Sequence, residues 1–432
     1  MFARLKKLIQ TKKAKIGIIG LGYVGLPLAT EFSKAGFSVT GFEVDENKVK
    51  SITAGKSYIG DVSSSAIAPL VRAKLLRATV DFIRLKDQDI IIVCVPTPLR
   101  KSKDPDVSYI VSATESIRKG LRKGQLVILE STTYPGTTSE LVKPLLTAGG
   151  LVCGTDFFLA FSPERVDPSN PKHTVSNTPK VVGGMTKKCG DLAAMTYANI
   201  TATIKRVSST EAAEMVKLLE NTFRAVNIAL VNEVALMCVK LKLDVWEIID
   251  AAASKPFGFM PFYPGPGIGG HCIPLDPNYL SWKLKTLNFY SRFIELAGEM
   301  NSRMPEHVVQ LVVDEVNACG KSMLKAKILL VGVAYKKDVN DIRESPSLDI
   351  LKLLKDRKAD VHYFDPHIPS FKWENVVLHS EKDMNNAGIY DAVVIITNHT
   401  SIDYGALAKK SRLLIDTRNA TKGITGKNIV KL

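Results

Sequence analysis

Apolar residues along the first half of the chain fall in short unbroken runs, and each run ends at a turn signal. Residues 15–20, KIGIIG, read as a buried strand that enters a glycine-rich turn and then a helix reaching about Ala35. Residues 37–44 read as a second strand, 90–96 as another that stops at a proline, and 126–132 as one more, closed by Pro135 and Gly136. The runs at 157–162 and 180–184 extend the same sheet. Strand-length runs alternating with helical stretches predict a parallel, doubly wound sheet.

The texture changes near Ser208. From Thr210 to about Ser254 the spacing is helical, almost without glycine or proline. Ser209 or Thr210 can cap the start, and Glu211 and Glu214 suit the positive end of the helix dipole. The segment is apolar on more than one face, as in a helix buried between domains or subunits, so a homodimer or higher homo-oligomer is expected. A proline- and glycine-rich loop spans residues 256–277, and helix resumes to about Ala318. KILLVGVAY (327–335) restarts the strand-turn-helix pattern, and VHYFDP, DAVVIIT and RLLIDT supply further strands. The expected fold class is α/β: two doubly wound domains joined by a long central helix and a helical connector. The expected segments are 1–208, 209–318 and 319–432.

A chain of 432 residues can bury two or three cores. With 45% hydrophobic and 23% charged residues, disorder is excluded as the default. The formal charge of +15 solubilises the surface and attracts phosphate-bearing ligands. The basic residues are scattered rather than gathered in a stripe, so nucleic acid is not an expected partner. The run Arg4, Lys6, Lys7, Lys12, Lys13 reads as a solvated leader. The six cysteines form no C-x-x-C pair and match no zinc spacing, so no metal is expected. So few cysteines in so long a chain point to reduced thiols and a cytoplasmic protein. The first apolar run is too short for a signal peptide. No run of about 18 apolar residues occurs, so no membrane span is expected.

Two motifs carry chemistry. Gly20-Leu21-Gly22-Tyr23-Val24-Gly25 is G-x-G-x-x-G, placed between a strand and a helix as a dinucleotide loop requires. Gly20 permits the tight turn, Gly22 lets backbone approach a pyrophosphate, and Gly25 lets helix and strand pack closely. Glu43 stands at the end of the second strand, where a carboxylate accepts from ribose hydroxyls and repels a 2′-phosphate. That favours NAD over NADP, with Lys48 nearby weakening the preference. The second motif runs from Gly265 to Pro277, GPGIGGHCIPLDP. Four glycines within six positions bring backbone close to something, and Cys272 follows them directly. Residue types alone leave two readings open, a nucleophile and a buried structural thiol.

The chain resembles the UDP-glucose/GDP-mannose dehydrogenase family over essentially its whole length. KIGIIGLGYVGLPLA, VPTP (95–98), ESTTYPGT (130–137), FSPER (161–165), KLLENTF (217–223), the cysteine loop and AYKKDVNDIRESPS (334–347) occur in the family's order. The resemblance implies Rossmann-like domains, NAD as cofactor and a UDP-sugar as substrate. It implies Cys272 as nucleophile, with Lys217 and Asn221, i and i+4 on one helix, stabilising oxygen at the reacting carbon. Asp276, with a water held by Thr132, would accept the first proton. Glu164 would contact the sugar or assist thioester hydrolysis. Tyr23, Val24, Thr97, Thr132 and Arg343 join the glycines, Glu43 and Lys48 on the cofactor side. Arg165, Phe262, Tyr263, Gly269 and Lys336 join Glu164, Lys217 and Asn221 on the substrate side. Three positions depart from the UDP-glucose enzymes: Pro168 replaces a glutamate, His271 precedes the cysteine, and Leu275 replaces a lysine. GGHCIPLDPNYL and SPERVDP are more similar to the branch acting on UDP-N-acetylglucosamine.

The implied chemistry explains the residue set. An aldehyde has no alkoxide partner to expel a second hydride. A thiolate that adds to it gives a thiohemiacetal, then a thioester that water cleaves to the acid. An ordinary thiol has a pKa of about 8.5, which a nearby lysine and loop amides can lower. The product would serve surface polysaccharide synthesis. UDP-N-acetylmannosamine or UDP-glucose are alternative substrates. A single-oxidation dehydrogenase of the 6-phosphogluconate type and a non-catalytic nucleotide-sugar binder are the rival readings.

Overall fold

The computed structural model describes residues 1–100, 104–166, 173–270 and 272–432. Pro168 and His271 lie outside the described residues. Two compact units form, Met1–Glu220 with Asn278–Phe289, and Asn221–Pro277 with Tyr290–Leu432.

The first unit holds an eight-stranded sheet. Its strands are β1 (Lys15–Ile19), β2 (Ser38–Phe42), β3 (Leu76–Thr79), β4 (Ile90–Val93), β5 (Leu126–Leu129), β6 (Phe158–Phe161), β7 (Lys180–Gly184) and β8 (Ile204–Arg206). Their order is β3-β2-β1-β4-β5-β6-β7-β8, and the first six positions give the dinucleotide-binding order of a Rossmann domain. Apolar side chains alternate between two cores. Ile16, Ile18, Ile90, Ile92 and Leu126 enter one, while Ile19, Ile91, Val93, Val127 and Leu129 enter the other. Burial on both faces is why these strands read as continuous apolar runs.

The second unit has a five-stranded parallel sheet, also Rossmann-like. Its strands are β9 (Lys327–Val331), β10 (Asp360–Phe364), β13 (Ala392–Ile395), β14 (Leu414–Asp416) and β15 (Ile429–Lys431), in the order β10-β9-β13-β14-β15. A hairpin of β11 (Ser370–Trp373) and β12 (Val376–His379) stands apart from that sheet.

Three expectations are corrected. The basic leader is an ordered helix, Phe2–Gln10, that buries Leu5 and Ile9 and sets Phe2 edge-on to Phe158. Its lysines point outward while the i, i+3, i+4 positions pack. Helix does not continue to Ser254: it stops at Leu241, where Lys242 turns left-handed (φ 57°), and Asp244 caps a new helix, Val245–Ala253. β7 extends the sheet but runs antiparallel to β6, pairing Gly184 with Ala160. By length and composition alone the helix Thr210–Leu241 could cross a bilayer, although it holds no unbroken apolar run of that length. Scattered polar residues interrupt its apolar runs. One of them, Asn232, is buried against Asn301 and the Gly265 amide, so it serves packing within the protein.

Candidate functional site

In the first unit, three glycines shape the turn after β1. Gly20 is left-handed (φ 89°), and a Cβ there would press on the Cys94 carbonyl. A Cβ at Gly22 would meet nothing, so the backbone there is open to a ligand. A Cβ at Gly25 would overlap the Gly20 carbonyl oxygen. The helix Gly25–Lys34 therefore starts directly against the strand, with its N-terminal amides toward the turn. Glu43, buried, accepts from the Leu21 amide at 3.1 Å through Oε2 and from Val44 at 2.9 Å through Oε1. Lys48 Nζ is 3.5 Å from Oε2. Tyr23 is exposed, and Thr97 is buried under the hydroxyl of Tyr279. The open backbone, the helix end and the carboxylate fit a dinucleotide. Gly25→Ala is expected to cost about 3 kcal/mol of stability and weaken NAD binding, because backbone cannot yield to the added methyl. Thermal unfolding with and without NAD measures both.

Two loops at the carboxyl ends of β5 and β6 carry the remaining residues of this half. Thr132 lies in the loop after β5. That loop is anchored by Glu214, which is buried rather than solvated at the helix end. Its carboxylate accepts from the Gly136 amide at 2.6 Å, the Thr138 amide at 2.9 Å and the Thr138 hydroxyl at 2.6 Å. Burial outweighs these bonds and raises its pKa to about 7. Glu214→Ala strands two buried amides and is expected to cost about 2–5 kcal/mol, read as a lower Tm. The raised pKa gives the sign of the pH effect. Glu214's stabilising contribution is full below about 4.5 and falls as pH rises through about 7. Glu214→Gln should flatten that slope in a stability–pH series.

Glu164 follows β6. Its Oε1 accepts from the Arg165 and Val166 amides at 2.8 and 2.7 Å, and its Oε2 from Lys180 Nζ at 2.9 Å. Burial opposes its charge, but Lys180 and the amides win and hold its pKa at about 2. Arg165 forks onto Glu220 and donates to the Pro179 carbonyl. Lys217 and Asn221 are both buried on the long helix, whose start is capped by Ser209 accepting from the Ala212 amide.

In the second unit, Asn221 donates to Asp276 Oδ2, and the Asp276 amide donates to the Cys272 carbonyl at 2.8 Å. Cys272 is half-buried at the head of this turn, just before the helix Asp276–Lys285. The glycine loop is clamped from below. A Cβ on Gly269 or Gly270 would strike Tyr335, and Gly270 is left-handed (φ 88°) with its amide on the Arg343 carbonyl. Lys336, half-buried, follows Tyr335, and Arg343 forks onto Asp341 at 2.6–3.0 Å. Phe262 and Tyr263 precede the glycines in the same loop. Phe262 meets Phe223 edge-on, and Tyr263 stacks on Trp246 with its hydroxyl on Asp250. The structure thus places Cys272 and Asp276 on one turn, with Asn221 reaching Asp276 from the long helix, and Gly269 beside Tyr335. It sets Phe262 and Tyr263 in an aromatic cluster on the two central helices.

Three models of one family match the chain: the NAD binding domain over residues 14–201, the central domain over 211–303 and the UDP binding domain over 329–423. The chain belongs to the UDP-glucose/GDP-mannose dehydrogenase family. It is an NAD-dependent nucleotide-sugar dehydrogenase. Among family members, a UDP-N-acetyl-D-glucosamine 6-dehydrogenase of Pseudomonas aeruginosa is 35% identical, covering 94% of this chain and 97% of its own. A UDP-N-acetyl-D-mannosamine dehydrogenase of Pyrococcus horikoshii is 33% identical, covering 94% and 96%. A solved UDP-D-ManNAc dehydrogenase structure from Pyrococcus horikoshii superposes with TM-score 0.88 at 32% identity, over 96% of this chain and 98% of that one.

Several side chains around these family motifs gave no sequence signal. Arg418, after β14, holds its guanidinium against Gly265, a cation beside the cysteine loop. Glu130 and Lys180 surround Glu164 from strands far apart in sequence. Asp338, His367 and His399 are the one cluster among the described residues with metal-ligand groupings. His399 Nδ1 already accepts from the Asp338 amide at 3.0 Å, and Nε2 lies 3.1 Å from Asp365. Both ring nitrogens are thus engaged in holding loops.

Proposed function

We propose that this enzyme oxidises the C6 primary alcohol of UDP-N-acetylglucosamine to the carboxylate through a thioester on Cys272. The observation that carries the covalent route is the turn in which Cys272 heads a helix and Asp276, four residues on, is oriented by Asn221. NAD accepts one hydride in each of the two oxidations. Asp276, with a water held by Thr132, takes the alcohol proton. Lys217 and Asn221 stabilise the oxygen as it gains charge. Glu164, held ionised, accepts hydrogen bonds from sugar or water and does not act as an acid. Gly20, Gly22, Tyr23, Val24, Gly25, Glu43, Lys48, Thr97, Thr132 and Arg343 hold NAD. Arg165, Phe262, Tyr263, Gly269 and Lys336 hold the nucleotide sugar.

Identity to the Pseudomonas relative and the residues around Cys272 favour the N-acetylglucosamine substrate. The Pyrococcus relative and its structure support N-acetylmannosamine as the second reading. An NADH assay across UDP-glucose, UDP-N-acetylglucosamine, UDP-N-acetylgalactosamine and UDP-N-acetylmannosamine decides between them. Two NADH per sugar exclude a single-oxidation enzyme, and no NADH with any sugar leaves a non-catalytic binder. Residues 1–208 form the NAD domain in this reading, 209–318 the connector and 319–432 the UDP-sugar domain. The long helix exposes Leu219, Phe223, Leu230 and Met237, which a second copy would cover in a homodimer. A monomeric solution mass would refute that. Cytoplasmic placement, beside the pools of UDP-sugar and NAD, completes the reading, with a uronic acid for surface polysaccharide as product.

A further inference from the structure

We propose that Lys180, paired with Glu130, is a positioning residue of the reaction: it holds the Glu164 carboxylate in one orientation and in its charged form. The inference rests on Glu164 meeting the reacting sugar or the hydrolytic water, as read above.

The antiparallel turn of β7 makes this possible. β6 and β7 pair Ala160 with Gly184 and Phe161 with Gly183. Continuing that register past the end of β6 sets Lys180 opposite Glu164. The ammonium is 2.9 Å from Glu164 Oε2 and bonds Glu130 Oε1 on its other side. Glu130, at the end of β5, is fully buried and takes the Tyr197 hydroxyl on Oε2 at 2.5 Å. Lys180 also lies 5.1 Å from the centre of the Tyr197 ring. A lysine is almost never buried this deeply without paired charge, and here two carboxylates supply it.

Among the described residues, Glu130, Glu164, Tyr197 and Cys94 are the titratable groups that act on this cluster. Burial works to neutralise Lys180, but Glu130 and Glu164 raise its pKa above the usual lysine value. Burial, with Glu164 adding to it, raises Glu130 to about 7 despite Lys180. Tyr197 is pushed up by burial and Glu130, and Cys94 likewise, so both stay protonated. Lys180 is therefore the cation that keeps Glu164 from sharing a proton with Glu130. Without it, two carboxylates in one buried site cannot both ionise at neutral pH.

The test is steady-state and single-turnover kinetics on Lys180→Met, with Lys180→Arg as rescue and Glu164→Gln as reference. Lys180→Met should lower kcat at least about tenfold at pH 7 while KM for the UDP-sugar changes less than about threefold. The acid limb of its pH–rate profile should move up by more than about one pH unit, so the deficit shrinks as pH rises. Intact mass should show more sugar trapped on Cys272. Lys180→Arg should restore the parent acid limb. If Lys180→Met does not fold, the double variant Lys180→Met, Glu130→Met leaves Glu164 as the one carboxylate of the cluster, still without its cation, and an upward acid-limb shift is again expected. A parent rate and parent acid limb in either variant, alongside a slowed Glu164→Gln, would overturn the inference. A parent rate in Glu164→Gln would instead overturn the Glu164 assignment, and the inference would fall with it.

Discussion

Cys272→Ala is expected to stop acid formation while a slow first hydride transfer survives. The Cys272 backbone builds the turn: its carbonyl accepts from the Leu275 amide at 3.1 Å and the Asp276 amide at 2.8 Å. Alanine keeps those bonds, so the loop and the Asp276–Asn221 contact should persist. In the proposed route, what disappears is the nucleophile that turns an aldehyde into a hydride donor. Loss of a covalent nucleophile typically costs orders of magnitude, and at least about 10³ is expected for acid production. In the same proposal alcohol oxidation uses Asp276, the Lys217–Asn221 pair and the cofactor, so the variant should release one NADH per sugar and accumulate aldehyde. Product mass with NADH counting reads both. Acid at the parent rate would end the covalent route.

Residues that act through local backbone were legible in the sequence. Gly20, Gly22 and Gly25 sit where a turn, an open backbone and a close contact demand glycine, and spacing shows that directly. The strands of the Rossmann order were legible because each apolar run is buried on both faces. Strand direction was not, since an antiparallel β7 has the same apolar pattern as a parallel one. That single reversal hid the Lys180–Glu164 pair. The break at Lys242 was invisible because a lysine, not a glycine, adopts the left-handed turn. Glu214 read as a dipole partner because its position near the helix start is local information. Its acceptor role depends on Gly136 and Thr138, more than seventy residues earlier. Phe2, Leu5 and Ile9 had helical spacing, but the lysines around them drew the reading toward a solvated leader.

Lys217→Met should separate stability from turnover, lowering turnover without lowering Tm. Lys217 is buried at 8% exposure, yet among the described residues it makes no ion pair. A buried ammonium without a carboxylate is costly to the fold. Methionine fills similar volume without charge, so folded stability is expected to hold or rise, visible as an unchanged or higher Tm. Lys217 shares one helix face with Asn221, which is fixed on Asp276. If the pair meets the charge that grows on oxygen, losing the cation removes about 2.7–4 kcal/mol of transition-state stabilisation. That corresponds to roughly a 10²–10³-fold loss in kcat, with a smaller change in nucleotide-sugar affinity. A lysine retained only for packing would show the reverse: turnover intact and Tm lowered. Turnover lost with Tm kept, against turnover kept with Tm lost, therefore distinguishes a residue kept for function from one that the fold itself requires.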